Sequence, residues 1–124
     1  MNIITLLNAR DIFKQFSQIR ISSKLAYKIM KFCKSVEVEE EFYKNRKTEI
    51  INAYAQKNEA GQPIVNNGGI VQIIPEKTQE AQEAMQELNN TEVEAPSIRF
   101  TLAELGELKL SVADMYVLDA FIEE

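Results

Sequence analysis

Histidine and tryptophan are absent from this 124-residue chain, and cysteine occurs once. Without an imidazole, no side chain with an ordinary pKa near neutrality is available as a general base. A Ser-His or Cys-His nucleophile cannot be assembled from this chain alone. The single thiol, Cys33, excludes an internal disulfide framework and suits a reducing cytoplasm. Its spacing puts it with Ile29 and Phe32, so a buried small hydrophobe is the expected reading. No apolar run approaches the roughly 20 residues that span a membrane. Residues 1–10 have no basic segment ahead of their short apolar stretch, so a secretory signal is not expected. Four glycines and three prolines are few enough to leave long stretches free to be helical.

Charge is present in quantity and is polarised. Residues 1–35 hold seven cations (Arg10, Lys14, Arg20, Lys24, Lys28, Lys31, Lys34) against one anion, Asp11, a net of +6. Residues 36–124 hold seven cations and eighteen anions, a net of −11. Such asymmetry suggests that the basic segment faces an anion: a nucleotide, a phosphate backbone or the acidic half of a neighbouring copy. The overall charge of −5 argues against duplex nucleic acid, because long-range attraction to a polyanion is weak.

The periodicity predicts an α+β, mostly helical fold in a single domain, 1–124, with a helical spine over 1–58 and a hairpin, helix and C-terminal module over 59–124. Leu6, Leu7, Ile12, Phe13, Phe16 and Ile19 mark a first helix, with Thr5 or Asn8 as N-cap candidates. Ser22 and Ser23 are good caps for a second, and residues 24–58 contain neither Pro nor Gly. Leu25, Ile29, Phe32, Val36, Tyr43, Ile50 and Tyr54 are spaced 4, 3, 4, 7, 7 and 4, close to a heptad seam. A continuous helix here would be about 50 Å long. That exceeds what so small a domain buries, so these seven residues are expected to form a homo-oligomer interface. A break near Val36–Val38 is the alternative.

The helix is expected to stop at 58–61 with Gly61 as C-cap. Asn66-Asn67-Gly68-Gly69 then reads as a hairpin tip between β-branched strands, and it lacks the spacing of a phosphate-binding loop. Pro75 precedes a helix over 76–88. Residues 91–95 and 97–101 alternate as strands, which with the 64–74 hairpin predict a small antiparallel sheet. Ser111 and Asp114 form a capping box for a final helix whose apolar face runs through Met115, Leu118, Phe121 and Ile122. No internal repeat is evident.

Arg20, Lys24, Lys28, Lys31 and Lys34 advance by 4, 4, 3 and 3, forming a stripe flanked by Tyr27. A ring and cations on one surface can hold a nucleotide by stacking and phosphate pairing. The same stripe also reads as a solvated face whose lysine stems cover core edges. Arg99, isolated between Ile98 and Phe100, either pairs with Glu92 or Glu94 or enters a ligand pocket. Glu37, Glu39, Glu40 and Glu41 lack EF-hand spacing and read as helix surface, so no metal and no cofactor is expected.

The stretches Ser22-Ser23-Lys24-Leu25-Ala26-Tyr27-Lys28-Ile29 and Ile50-Ile51-Asn52-Ala53-Tyr54 resemble a common type of small tailed-bacteriophage or prophage protein. So does the tail from Leu102-Ala103-Glu104-Leu105-Gly106 through Ala113-Asp114 to Glu123-Glu124. Members of that group have no settled activity, so no functional residue carries over. The resemblance implies a product working in the bacterial host cytoplasm or in the virion. With no catalytic signature in the sequence, a non-enzymatic role is expected. The expected one is an oligomeric anti-defence sponge sequestering a nucleotide immune signal, with Arg20, Lys24, Tyr27, Lys28, Lys31 and Arg99 as the ligand site. An assembly or virion component that binds other proteins is the alternative.

Overall fold

The computed structural model describes residues 1–123, which pack as two compact units. The first comprises Met1–Glu40 and the chain from Glu92 onward, and the second comprises Glu41–Thr91. The protein is mostly helical. No helix among the described residues is long and apolar enough to cross a membrane.

In the first unit, α1 (Ile3–Lys14) and α2 (Ser23–Ser35) each bury one apolar stripe. The α1 stripe includes Ile3, Leu6, Ala9 and Phe13, and that of α2 is Leu25, Ile29 and Phe32. Asn2 is the residue before α1, so the expected caps Thr5 and Asn8 lie inside the helix. At the head of α2 the Ser22 hydroxyl accepts from the Leu25 N–H at 3.3 Å, as a capping serine should.

The long helix does not run unbroken. α2 ends at Ser35, and α3 (Glu37–Tyr54) starts beyond Val36, whose backbone sits at φ −99°, ψ −3°. The Ser35 hydroxyl donates to the Phe32 carbonyl at 2.7 Å, the acceptor that the Val36 N–H would face in a continued helix. Val36 N–H turns instead to the Cys33 carbonyl, three residues back. The break corrects the expectation of one rod about 50 Å long.

The rest of the first unit comes from the tail. β1 (Phe100–Thr101) leads into α5 (Leu102–Leu105), then α6 (Val112–Leu118), a 3₁₀ turn over Asp119–Phe121, and β2 (Ile122–Glu123). β1 and β2 pair in parallel, Phe100 with Ile122 and Thr101 with Glu123. The expected antiparallel sheet is therefore wrong. A parallel pair needs a crossover, and α5 and α6 supply it. Ile122, expected on the last helical face, is a strand residue because the helix has ended at Leu118. Two capping boxes brace the crossover: Thr101 with Glu104, and Ser111 with Asp114.

The core of this unit is aromatic. Phe13, Phe32, Phe100 and Phe121 are fully buried. Phe32 packs edge-on to Phe13 at 5.1 Å and to Phe121 at 4.9 Å, while Phe13 and Phe100 lie 4.7 Å apart. These separations are those of favourable ring pairs.

The second unit holds the remainder of α3, then α4 (Thr78–Asn89), with Ile50, Ala55 and Leu88 buried. Tyr43 donates its hydroxyl hydrogen to Asn89 Oδ1 at 2.7 Å. The helix stops at Tyr54, before the expected 58–61, because Ala55 and Lys57 already make antiparallel bridges to Ile73 and Pro63. Residues 54–74 form three arms with an eight-residue period. Ile64 N–H donates to Gln56, Gln72 N–H to Ile64, and Gln56 N–H to Gln72, each at 2.8 Å, closing a ring of three backbone hydrogen bonds.

Asn58 and Asn66 each close one arm. Asn58 Oδ1 accepts from Ala60 and Gln62, and Asn66 Oδ1 from Gly68 and Ile70. Gly61 and Gly69 follow at φ +78° and +77°. The third arm, where the chain enters and leaves, is closed by Ile74 N–H to the Tyr54 carbonyl at 2.9 Å. The tip at 66–69 is where it was expected, flanked by the Val65–Val71 bridge. It belongs to a repeat, however, and not to a two-strand hairpin. Gly61 serves a turn and not a helix C-cap.

Candidate functional site

The predicted ligand residues separate into two groups. Lys28 Nζ lies 2.8 Å from Glu104 Oε1 and over the Phe100 ring at 5.4 Å from its centroid. Arg99 donates to the Pro96 carbonyl at 2.6 Å and the Ile98 carbonyl at 3.0 Å, with its guanidinium 6.0 Å from the Phe121 centroid. Arg99 thus bonds its own turn and makes no ion pair with Glu92 or Glu94. Both cations hold the unit together.

The other four residues stand outside. Arg20, Lys24 and Lys31 are exposed, Tyr27 is 59% exposed, and the Lys31 ammonium sits 5.6 Å from the Tyr27 centroid. Lys24, Tyr27, Lys31 and Lys34 follow at spacings of 3, 4 and 3, and so share one face of α2. None of these cations has a carboxylate partner among the described residues. The position of the face is set by the tail, which grips the start of α2. Glu107 accepts from the Ser22 N–H at 2.9 Å and from the Ser22 hydroxyl at 2.7 Å, and Glu104 holds Lys28 one turn further on.

The Glu104 carboxyl is held at about 2 by its hydrogen bond from Lys28, then by the Thr101 N–H. Its folded pKa lies below the ordinary 4.5, so the stabilisation is present above pH 4.5 and is lost as the pH falls toward 2. Glu104→Gln keeps an acceptor for Thr101 and removes the charge. It should lower the melting free energy at neutral pH by about 1 kcal/mol, and the gap to the parent should close by about pH 2. Melting both proteins across that range checks the sign: a gap that widens in acid would refute the assignment.

Beside the basic face lies a groove of 350 Å³, floored by Phe13, Phe16, Ala26 and Ile29 and edged by Ile19, Met30, Cys33 and Lys14. Ala26, Ile29, Met30 and Cys33 occupy the helical stripe next to Tyr27 and Lys34, with Met30 at the junction. Burial raises the pKa of the Cys33 thiol, so it is not an activated thiolate. Sequence reading found the stripe of cations but not this groove. The groove needs the turn after α1 to fold back on α2, and no pattern in residues 15–21 announces that.

The second unit has a larger groove, 650 Å³, lined by Ile50, Ile73, Ala81 and Met85 with glutamines around it; Glu83 is the one ionisable residue lining it. It brings together no set of catalytic groups. No group of three or more acidic or cysteine side chains among the described residues is placed to hold a metal ion.

The seven residues expected at an oligomer seam divide as well. Leu25, Ile29, Phe32 and Val36 are buried within the first unit, and Ile50 is buried within the second. Tyr43 and Tyr54 are half-buried. No protein-family model, no curated protein and no solved structure matches this chain.

Proposed function

We propose that this is a non-enzymatic accessory protein that works by docking the outer face of α2 on an acidic protein surface, as an assembly component would. The observation that carries the reading is the set of unpaired cations. In a chain with nineteen acidic residues, Arg20, Lys24, Lys31 and Lys34 project to solvent with no carboxylate partner among the described residues. Tyr27 and Met30 stand exposed among them, and exposed Tyr and Met are enriched where proteins meet. The face is open and convex to its ligand. A compact anion would need enclosing donors, and two of the six residues expected at the ligand site, Lys28 and Arg99, are engaged inside the unit.

Sequestration of a nucleotide signal is the second reading. It is supported by the Tyr27 ring and the Lys31 ammonium, 5.6 Å apart, which offer stacking and phosphate pairing side by side. One variant serves both readings. Lys24→Glu/Lys31→Glu changes only exposed side chains and should leave the circular dichroism spectrum and melting temperature unchanged. Under the docking reading it abolishes capture of partners from infected cells by the tagged protein, while native mass spectrometry shows no adenine nucleotide bound to the parent. Under the second reading the parent gains cyclic or linear adenine nucleotide and the variant does not. A variant that retains every partner and every ligand of the parent refutes both.

A further inference from the structure

We infer that the groove beside α2 receives the exposed face of α6 from a second copy of this chain. The groove is a concave apolar surface with cations at its edges. Lys14, half-exposed and 3.7 Å from Glu40, lines it, and exposed Lys34 follows the lining residue Met30 by one helical turn, just outside the groove. A flat surface such as a bilayer leaves such a cleft unfilled. What fits is a protruding apolar side chain flanked by carboxylates.

The same unit presents that shape on its own surface. On α6, Val112 is 75% and Tyr116 81% exposed, the largest exposures of the described large hydrophobic side chains in the unit apart from Val38. Val112, Tyr116 and Asp119 lie on one side of this segment, where with Met115 they border a shallow hollow of 290 Å³, and the largely exposed Tyr116 ring is the side chain that projects. Residues 110–123 carry Asp114, Asp119 and Glu123 and no cation. Asp114 is engaged in its capping box, whereas Asp119 and Glu123 are exposed and make no ion pair with a described residue.

Hole and knob thus have opposite charge and matched chemistry, and a second copy covers both at once. A foreign partner in the groove would leave Tyr116 bare. Tyr116 would enter between Ile19 and Met30, with Asp119 toward Lys34 and Glu123 free to reach Lys14. Two copies can exchange the contact reciprocally as a closed pair, or pass it on head to tail. This inference shares Met30 and Lys34 with the docking face above but leaves Lys24, Tyr27 and Lys31 outside, so the Lys24→Glu/Lys31→Glu variant should associate with itself as the parent does.

The test is the oligomeric state of the full chain by light scattering over a range of concentrations. Two variants are needed. Met30→Glu/Lys34→Glu spoils the groove and keeps the knob, while Tyr116→Ser/Asp119→Lys spoils the knob and keeps the groove. All four positions are exposed or partly exposed, so circular dichroism and melting should match the parent. The parent should show at least twice the 14.2 kDa chain mass. Each variant alone should dissociate about tenfold or more readily. In a reciprocal pair each variant loses both contacts, and in a head-to-tail chain each loses every contact. An equimolar mixture should form a one-to-one complex through its single intact contact. A parent monomeric at every concentration overturns the inference. So do variants that associate as the parent does, or a mixture that stays monomeric.

Discussion

Replacing Phe32 by Ala is expected to cost about 3–5 kcal/mol of unfolding free energy. Phe32 is wholly buried and touches three other rings, Phe13 at 5.1 Å, Phe100 at 6.1 Å and Phe121 at 4.9 Å. These rings come from α1, β1 and the turn before β2, so the cavity would open where four separate segments converge. None can close it by shifting alone, which puts the cost toward the upper end of the range. Domains are stable by about 5–15 kcal/mol, so the loss is a large share of the total. Phe32→Leu keeps most of the volume and should cost about 1.5 kcal/mol. Urea unfolding followed by circular dichroism measures both. A loss under about 1 kcal/mol for the alanine variant would mean that Phe32 is not at the centre of the core. The consequence reaches function, because α2 carries the cationic face on its other side. A variant with a melted core should lose partner capture even though Lys24, Tyr27 and Lys31 are unchanged.

The same helix shows what periodicity can and cannot tell. Leu25, Ile29, Phe32 and Val36 recur at 4, 3 and 4, and that stripe is buried as the spacing demands. Spacing does not say which surface covers it. The heptad pattern reads equally well as a seam between chains or as one helix against its own tail, and here the tail residues Phe100, Leu105 and Phe121 are part of that buried core. The serine cap at Ser22 and the Ser111–Asp114 box were legible because their signals are local. The Thr101–Glu104 box has the same local signature, Thr-Leu-Ala-Glu, but the strand-like alternation of residues 97–101 masks the helix start. The break at Val36 falls where the alternative reading places one, near Val36–Val38, although residues 24–58 hold no Pro or Gly to mark it. The parallel pairing of Phe100 with Ile122 joins residues far apart in sequence and leaves no local pattern. Among the cations, spacing groups Arg20, Lys24, Lys28, Lys31 and Lys34 into one stripe, yet Arg20 lies ahead of α2 and spacing cannot separate Lys28 from Lys24 or Lys31. Glu104, which makes the difference, lies 76 residues away.

The three-armed element of the second unit yields the other large expected effect. Gly61→Ala and Gly69→Ala together should cost about 2–4 kcal/mol, about 1–2 from each, because alanine is forced into the left-handed region that glycine occupies freely. Steric crowding adds nothing: a Cβ at either position meets no atom within 4 Å. The penalty is therefore purely that of φ near +78°, and the two should add, since each turn is closed by its own asparagine. Replacing both glycines by Asn, which tolerates this region better, should recover part of the loss; this follows only if the conformation, not the space, is what matters. Amide hydrogen exchange gives the reading that global melting would blur. The Gln56, Ile64 and Gln72 N–H groups close the central ring, so their protection should fall together in either single alanine variant. If only the N–H groups of the mutated turn lost protection, the three arms would be independent turns. The eight-residue repeat would then be a resemblance between loops and not a cooperative fold.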